Sequence, residues 1–463
     1  MSTKVLLLNP NKSEEPYPVY PVGLAYLRST LLNGGHESVV WDALVSEDSL
    51  EDVIKTNLPD VIAVSVRNID NVQSHNEQWF VADLVAICEE LKRLTDVPIV
   101  LGGSGYSLFP EALLKLTKAD YGMVGDAEEV FVQWVDSYEA GKNRTDFAGL
   151  VWRDGDTVKV NPGPFCLHFK ERIPSHDEGL VRAYLKAGSP IGIQTQRGCA
   201  LRCCYCTYPL IEGRSMRRRS AESIVAEIEE LVKQGVPYVF FVDSVFNLSA
   251  SHVTGICELM IERSIKVDWG AFLRPHRIKP ALAELFARSG MKHAEFGSDS
   301  FNDSVLKAYD KSFSFADIEH THNVLEASGV HCSHFVIAGG PGETMETLED
   351  TLEKSKTLKC ALFFAIVGMR VYPHTALWQS HIESGGSADP EDYLAPVFYL
   401  APGLEQKVVY DRLLVEGEVG RNWVIGDPPK AFKEAAARLR ARGLKGPLWE
   451  YVDVLQRFTE TAV

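Results

Sequence analysis

Residues Ile191–Cys206 read IGIQTQRGCALRCCYC. A short β-rich run, IGIQT, leads directly into a loop that holds four of the chain's nine cysteines. Three of them, Cys199, Cys203 and Cys206, are spaced C-x3-C-x2-C. Three thiolates this close together suit three irons of a cubane iron–sulfur cluster and leave the fourth iron open to a small molecule. A structural zinc site is the competing reading. Zinc wants four ligands, commonly in two separated pairs, whereas Cys257, Cys332 and Cys360 stand alone. Cys204 is surplus to the spacing and reads as a small packing residue.

From this stretch onward, strand and helix signals alternate. Candidate strands are 191–195, 238–243, 267–272, 293–297, 333–339 and a run within 361–372, and helical patterns follow the first five. Strands joined in this way predict a partial (β/α)6 barrel of the TIM type, whose sites form at the C-terminal ends of the strands. The cysteine loop follows the first strand and so falls on that rim.

The first 140 residues alternate in the same manner, with strand signals at 4–8, 38–41, 61–65, 98–101 and 120–124. Phe80, Leu84, Ile87, Cys88, Leu91 and Leu94 make one apolar face of a helix over 75–94. A second helical pattern over 21–33 stops at Gly34-Gly35. Near-continuous apolar strands between helices predict a doubly wound, flavodoxin-like parallel sheet. Residues 141–188 lose the rhythm and read as a linker with a small hairpin (149–164, turning at Asp154-Gly155). The expected division is 1–140, 141–188, 189–384 and a mostly helical C-terminal extension, 385–463. That extension carries a surface-helix pattern at 429–442. The extension, aromatic-rich at Tyr393, Phe398, Tyr399, Trp423, Trp449 and Tyr451, is expected to close over the barrel mouth, with core packing the plainer reading of those aromatics.

The chain has 463 residues, 47 basic against 63 acidic, for a formal charge of −16. That balance argues against a general nucleic-acid binder, which needs a cationic surface. No stretch approaches the roughly 20 apolar residues of a membrane span, and the N-terminal apolar run is too short for a signal peptide. The expectation is a cytoplasmic protein with reduced thiols, where clustered cysteines serve as metal ligands.

The cysteine spacing, the aromatic Tyr205 before the last cysteine and the place after a first barrel strand together resemble the radical S-adenosylmethionine (radical SAM) enzymes. The resemblance implies a [4Fe-4S] cluster on Cys199, Cys203 and Cys206. Its open iron would chelate S-adenosylmethionine, and electron transfer would cleave that cofactor to a 5′-deoxyadenosyl radical. It further implies cofactor contacts from Tyr205, from Asp243 and Asn247 in FVDSVFN (241–247), and from Glu295 and Ser298 in EFGSDS (295–300). GGPGET (339–344) resembles the family's turn near the adenine, and Arg274 and Arg370 would meet carboxylates of cofactor or substrate. Plainer readings stand beside these. Asp299, Ser300 and Thr344 suit helix caps, the two arginines suit internal salt bridges, and Arg217–Arg219 suit a solvated face.

The first domain resembles the cobalamin-binding domain of cobalamin-dependent radical SAM enzymes. NPN (9–11), SVRNIDN (65–71), GGSGY (102–106) and GDAEE (125–129) follow its strands, where open α/β sheets bind ligands. The resemblance implies cobalamin contacts from Asn9, Asn68, Asp70, Asn71, Ser104 and Gly105. None of the thirteen histidines sits in Asp-x-His-x-x-Gly, so no histidine of that motif would ligate cobalt. Together these features imply a C-methyltransferase acting on an unactivated carbon of a lipid, tetrapyrrole, natural-product or peptide substrate. Flavodoxin or ferredoxin would supply electrons. The alternatives are a non-methylating ring-forming or oxidising enzyme of the same type, and a non-catalytic iron–sulfur or zinc module.

Overall fold

The computed structural model describes residues 2–14, 17–142, 145–163, 169–420, 422–427 and 430–451. Pro164 and Pro429, at the edges of two sequence readings, lie outside them.

Strands β1 (Lys4–Asn9), β2 (Glu37–Asp42), β3 (Val61–Ser65), β4 (Ile99–Gly102) and β5 (Tyr121–Met123) form a parallel sheet in the order β2-β1-β3-β4-β5. Burial on both faces explains the unbroken apolar run of β1. Leu6 and Leu8 join the core that includes Leu84, Ile87 and Leu91, while Val5 and Leu7 join Leu24, Phe131 and Trp134. The order reverses between β1 and β3, the switch point where such sheets take ligands.

The predicted hairpin exists as β6 (Leu150–Asp154) and β7 (Thr157–Val160), but it is not a free linker. β6 pairs antiparallel with β5 and extends the first sheet. The helix expected over 75–94 begins only at Val81. Residues before it fold back through a bridge between Asp70 and Trp79 and reach the barrel, where Gln73 hydrogen-bonds Asp427 at 2.7 Å.

The second sheet holds β8 (Ile191–Ile193), β11 (Tyr238–Phe241), β12 (Asp268–Leu273), β13 (Met291–Asp299), β14 (His331–Ala338) and β15 (Leu362–Val367), all parallel and neighbours in that order. A strand absent from the sequence reading, β18 (Trp423–Ile425), adds parallel to β15. Among the described residues β8 and β18 do not pair with each other, so the barrel is open. Two short ribbons decorate its rim: β9 (Gln196–Arg197) with β10 (Arg217–Arg218), and β16 (Met369–Arg370) with β17 (Phe398–Tyr399). Outward-facing Ile193, Val239, Phe241, Trp269 and Ala271 pack with Ile224, Ile228, Ile256 and Phe286 of the surrounding helices. On alternate positions Phe240, Phe272, Phe335 and Phe364 form a belt, with successive ring centroids 4.9, 6.4 and 5.2 Å apart.

The C-terminal aromatics divide between the two ends of the barrel. Phe398 and Tyr399 sit at the mouth, in the ribbon with Met369 and Arg370. Trp423 is a strand residue, stacked on Phe363 at 4.7 Å. Trp449 lies at the opposite end, across the strand beginnings. Its indole N–H donates to Glu295 at 3.1 Å, and its ring packs with Leu362 and Val424. Next to it Glu450 meets His293 at 3.1 Å.

Buried charge joins the two sheets. Arg370 pairs with Asp70 at 3.0 Å. Arg197 pairs with Glu128 at 2.6 Å and Asp126 at 3.2 Å, and Arg217 meets the same Asp126 at 3.0 Å. The Arg217–Arg219 run is therefore no solvated face. Arg219 is buried against Glu227 and donates to the Tyr26 hydroxyl at 3.1 Å. A guanidinium this deep is tolerated only because a carboxylate and hydrogen-bond acceptors surround it.

Candidate active site at the barrel mouth

The cysteine loop is built from the strand outward. Asp243, just beyond β11, accepts hydrogen bonds from the backbone N–H groups of Thr195 (2.7 Å) and Gln196 (3.0 Å) and from the Thr195 hydroxyl (2.5 Å). Since that hydroxyl donates to Asp243, His252 Nε2, 3.1 Å away, donates to Thr195. Burial pushes His252 down to about 4, so its ring is neutral and suited to this role. Burial also lifts Asp243 to about 7, against the pull of its donors. Arg197 lies over the rings of Tyr26 and Phe169, 4.9 and 4.6 Å from their centroids. Gly198 then turns with φ +91°, and a Cβ there would lie 2.3 Å from the Ser215 carbonyl oxygen. Only glycine fits this step into the loop.

Beyond it, Cys199 N–H donates to Gly213 O at 3.0 Å and Cys204 N–H to Tyr309 O at 3.1 Å. Cys204 belongs to the core that contains Val305 and Tyr309, consistent with a packing role. The Tyr205 hydroxyl donates to Asp299 at 2.5 Å. The thiols of Cys199, Cys203 and Cys206 sit close enough to repel one another as thiolates. Burial pushes Cys206 up to about 12, opposed by a hydrogen bond from the Tyr208 backbone and by Lys311. Among the described residues no three His, Cys, Asp or Glu side chains converge as one metal ion requires. A cubane needs a wider spread, with each thiolate on its own iron. The three thiols on one loop, with a cation beside them, fit that group.

The other sequence candidates separate into two sets. Asn247 and Arg274 stay at the mouth and brace each other: the Asn247 amide donates to Arg274 O (2.9 Å) and accepts from Arg274 N–H (2.8 Å). Arg274 also reaches Ser312 at 2.7 Å. The second set is spent on the frame. Asp243 holds the cysteine loop. Ser298 bonds His334 Nδ1 at 2.8 Å in the core. Glu295 lies deep in the barrel on Trp449, lifted by burial to about 7. Arg370 is paired with Asp70, the internal salt bridge that sequence allowed. In GGPGET the carboxylate of Glu343 accepts from Gly339 N–H, and Thr344 caps the helix Met345–Ser355. Asn302, not Asp299 or Ser300, caps the helix Asp303–Ala308.

The first-domain candidates divide similarly. Asn68 lines a cavity of about 310 Å³ at the carboxyl ends of β1 and β3, together with Pro10, Asn11, Arg67 and Trp79. Asn9 spends its amide on Asp42 (2.8 Å) and Tyr184 (3.4 Å). Asn71 bonds Asn76 O at 2.7 Å, and Asp70 is in the salt bridge. Ser104 bonds Arg67 O at 2.8 Å, and Gly105 N–H donates to Val66 O at 2.9 Å. At Gly103, φ is +101° and a Cβ would lie 2.6 Å from Val66 O. The glycines thus serve the close approach of the loops after β3 and β4.

Sequence reasoning missed the residues between the domains. Arg67 and Tyr208 are exposed, 37 % for Tyr208, and Tyr17 is half-buried. Arg67 lines the cavity at the ends of β1 and β3, and Tyr17 and Tyr208 lie within electrostatic reach of it. Desolvation lowers the Arg67 guanidinium, whose electrostatic neighbours are Tyr208, Tyr17 and Tyr184. The helix Ser104–Leu108 of the first domain packs against Tyr208–Ile211, the helix directly after the cysteines. Lys311, beside Cys203, was also missed. No spacing rule marks a single lysine beyond a helix, whereas Arg67 lay within a stretch already singled out.

Residues 193–354 match the radical SAM superfamily and residues 13–135 the B12 binding domain. The chain is a radical SAM protein with an N-terminal B12-binding domain. It is 24 % identical to the tryptophan 2-C-methyltransferase of Streptomyces laurentii, over 82 % of this chain and 74 % of that protein. It is also 24 % identical to the cytidylyl-2-hydroxyethylphosphonate methyltransferase of Streptomyces wedmorensis, over 86 % and 84 % of the two chains. The radical S-adenosylmethionine methyltransferase TsrM of Kitasatospora setae, solved with cobalamin and a [4Fe-4S] cluster, superposes with a TM-score of 0.89. That match covers 100 % of this chain and 99 % of that one at 23 % identity. The cobalamin-dependent enzyme OxsB gives a TM-score of 0.75 at 16 % identity, over 100 % of this chain and 71 % of that one. These likenesses show the shared two-domain fold. No helix among the described residues is long and apolar enough to cross a membrane.

Proposed function

We propose that this chain is a cobalamin-dependent radical SAM methyltransferase that places a methyl group on a carbon of a small-molecule substrate. The observation that carries the reading is the approach of the first domain to the helix after the cysteines. The loop after β3 and the helix after the cysteines present Arg67 and Tyr208 to one space, with Tyr17 beside them. A cofactor on the first domain and a cluster on the barrel rim would face each other there. When bound, cobalamin supplies a methyl group, and a cubane with an open iron supplies an electron to S-adenosylmethionine.

The chain's own residues provide the frame. Cys199, Cys203 and Cys206 hold the cluster, and Asp243 fixes the loop that carries them. Asn68 and the backbone around Val66–Ile69 and Gly103–Gly105 receive cobalamin. Tyr205, Asn247 and Arg274 border the S-adenosylmethionine position, and the belt of phenylalanines keeps water from the reacting carbon. Residues 1–140 with the added hairpin form the cobalamin unit and 189–384 the radical unit. The reading places the protein in the cytoplasm, reduced by flavodoxin or ferredoxin.

A ring-forming or oxidising reaction is the second reading. It is favoured by 25 % identity, over 72 % of this chain, to an anaerobic magnesium-protoporphyrin IX monomethyl ester cyclase of Cereibacter sphaeroides. The test is anaerobic reconstitution with iron, sulfide and hydroxocobalamin, followed by turnover with methyl-deuterated S-adenosylmethionine. Deuterated methyl in a product supports methyl transfer. Release of 5′-deoxyadenosine with unlabelled product supports the second reading. Intact S-adenosylmethionine in reduced, cluster-loaded protein defeats both.

A further inference from the structure

The barrel lumen has an open apolar wall above a polar floor. Along a strand, residues between those that pack on the helices point inward. Ala294, Phe296 and Cys332 belong to the core shared with the helices, and His334 bonds the helix residue His322. Glu295, Gly297, Ser333 and Phe335 therefore face the lumen. Phe272, Phe335, Ile337, Phe364 and Ile366 are half-buried and Gly297 is exposed, although their outward-facing neighbours on the same strands are buried. Register sets Phe272 beside Glu295 and Glu295 beside Ser333. One inward position nearer the mouth, β13 offers only Gly297. A Cβ there would meet a single atom within 4 Å, Asp299 Oδ1 at 3.9 Å. Open space thus stands above Glu295 where a side chain would otherwise fill it.

The floor carries two polar groups with unused capacity. Glu295 is 3 % exposed. Among the described residues its carboxylate accepts one hydrogen bond, from the Trp449 indole at 3.1 Å, and pairs with no Lys, Arg or His. Burial lifts it to about 7, the response of a carboxyl without a counter-charge. Ser333 is fully buried and its hydroxyl has no hydrogen-bond partner. Buried polar groups are normally satisfied, and in ligand pockets a few such groups under an apolar wall fix the ligand's orientation. A carboxylate only accepts, whereas a hydroxyl donates or accepts. An ammonium answers both, with charge for Glu295 and a second N–H for Ser333.

We infer that the lumen takes a substrate with a flat apolar body and a protonated amine at its inner end, the amine held by Glu295 and Ser333 beneath Phe272 and Phe335. The reacting carbon then lies at the rim end, remote from the amine. The inference rests on the barrel being the substrate site of the radical enzyme proposed above, and not on the fate of the methyl group.

The test is ligand-observed NMR titration of the full chain, reconstituted anaerobically, with iron content and Tm checked on each variant. The probes are 2-phenylethylamine and 2-phenylethanol, which share a shape and differ in the charged end. The parent should bind the amine about tenfold more tightly than the alcohol, the scale of a hydrogen bond to a charged group. Glu295→Gln should weaken the amine about tenfold and leave the alcohol within about threefold. Ser333→Ala should weaken the amine about threefold. Gly297→Leu fills the space above the floor and should weaken both probes. Equal affinities in the parent, or a preference for the amine that survives in Glu295→Gln, overturns the inference. So does an amine Kd weaker than about 10 mM, the floor for a ligand this small. If Glu295→Gln holds no cluster, Ser333→Ala and Gly297→Leu decide, and parent affinity for the amine in both overturns it. A parent that prefers the amine yet transfers no deuterated methyl keeps the pocket and defeats methyl transfer. Methyl transfer without that preference defeats the pocket alone.

Discussion

The ion pair between Arg370 and Asp70 is the sharpest test of how the two domains are held. Both side chains are buried, and Arg370 also donates to Val371 O and Tyr393 O, each at 2.7 Å. Arg370→Met keeps much of the side-chain volume and removes every donor. Leaving one partner of a buried pair uncompensated costs about 3–5 kcal/mol. The two abandoned carbonyls add roughly 1 kcal/mol or more each. Some relief comes from the Val72 N–H, 2.9 Å from Asp70, and from Tyr372, 3.4 Å away. A net loss of about 4 kcal/mol corresponds to a fall in Tm of roughly 8–16 °C on the scale for domains of this size. Calorimetry of the parent, Arg370→Met, Asp70→Leu and the double variant forms a cycle. The double variant should recover much of the loss, because it leaves no unpaired charge. Arg370→Met within about 1 kcal/mol of the parent, or a double variant no better than the worse single, would refute the reasoning.

Three further expectations concern the frame of the site. Glu295 is lifted by burial from 4.5 to about 7. Between those values the folded chain keeps a proton that the unfolded chain releases, so Glu295 makes stability fall as pH rises, by up to about 3 kcal/mol. Glu295→Gln should flatten the decline in urea-unfolding stability between about pH 5 and pH 8; an unchanged slope contradicts this. Asp243→Ala strips the acceptor from three donors, at roughly 1–3 kcal/mol each, and should lower iron retention after desalting. Asp243→Asn keeps one acceptor and should retain more iron. Gly103→Ala meets both a positive φ and a close Val66 carbonyl. It should destabilise the first domain by more than about 1 kcal/mol and weaken hydroxocobalamin binding measured by absorbance.

Patterns that repeat were legible in the sequence. The alternation of apolar runs and amphipathic helices placed the strands of both sheets, since burial on two faces leaves a local signature. The cysteine loop was placed on the rim because it directly follows the first barrel strand. Contacts between distant segments left no such mark. Asp70 and Arg370 each read as a ligand-facing polar residue at a strand end. They meet only because one sheet is set against the other. Ser104 and Gly105 were legible as a loop at a strand end, but not their hydrogen bonds to Arg67 O and Val66 O. The Arg217–Arg219 run looked solvated because its carboxylate partners lie elsewhere, on Asp126 and Glu227. β18 escaped notice because three residues carry no usable period. It is a strand by virtue of its neighbour β15.

The indole of Trp449 and the carboxylate of Glu450 turn the barrel into a cul-de-sac. With that end filled by side chains, the rim that carries the cysteine loop is the barrel end left to a substrate. A product formed on that side would leave by the end its precursor entered.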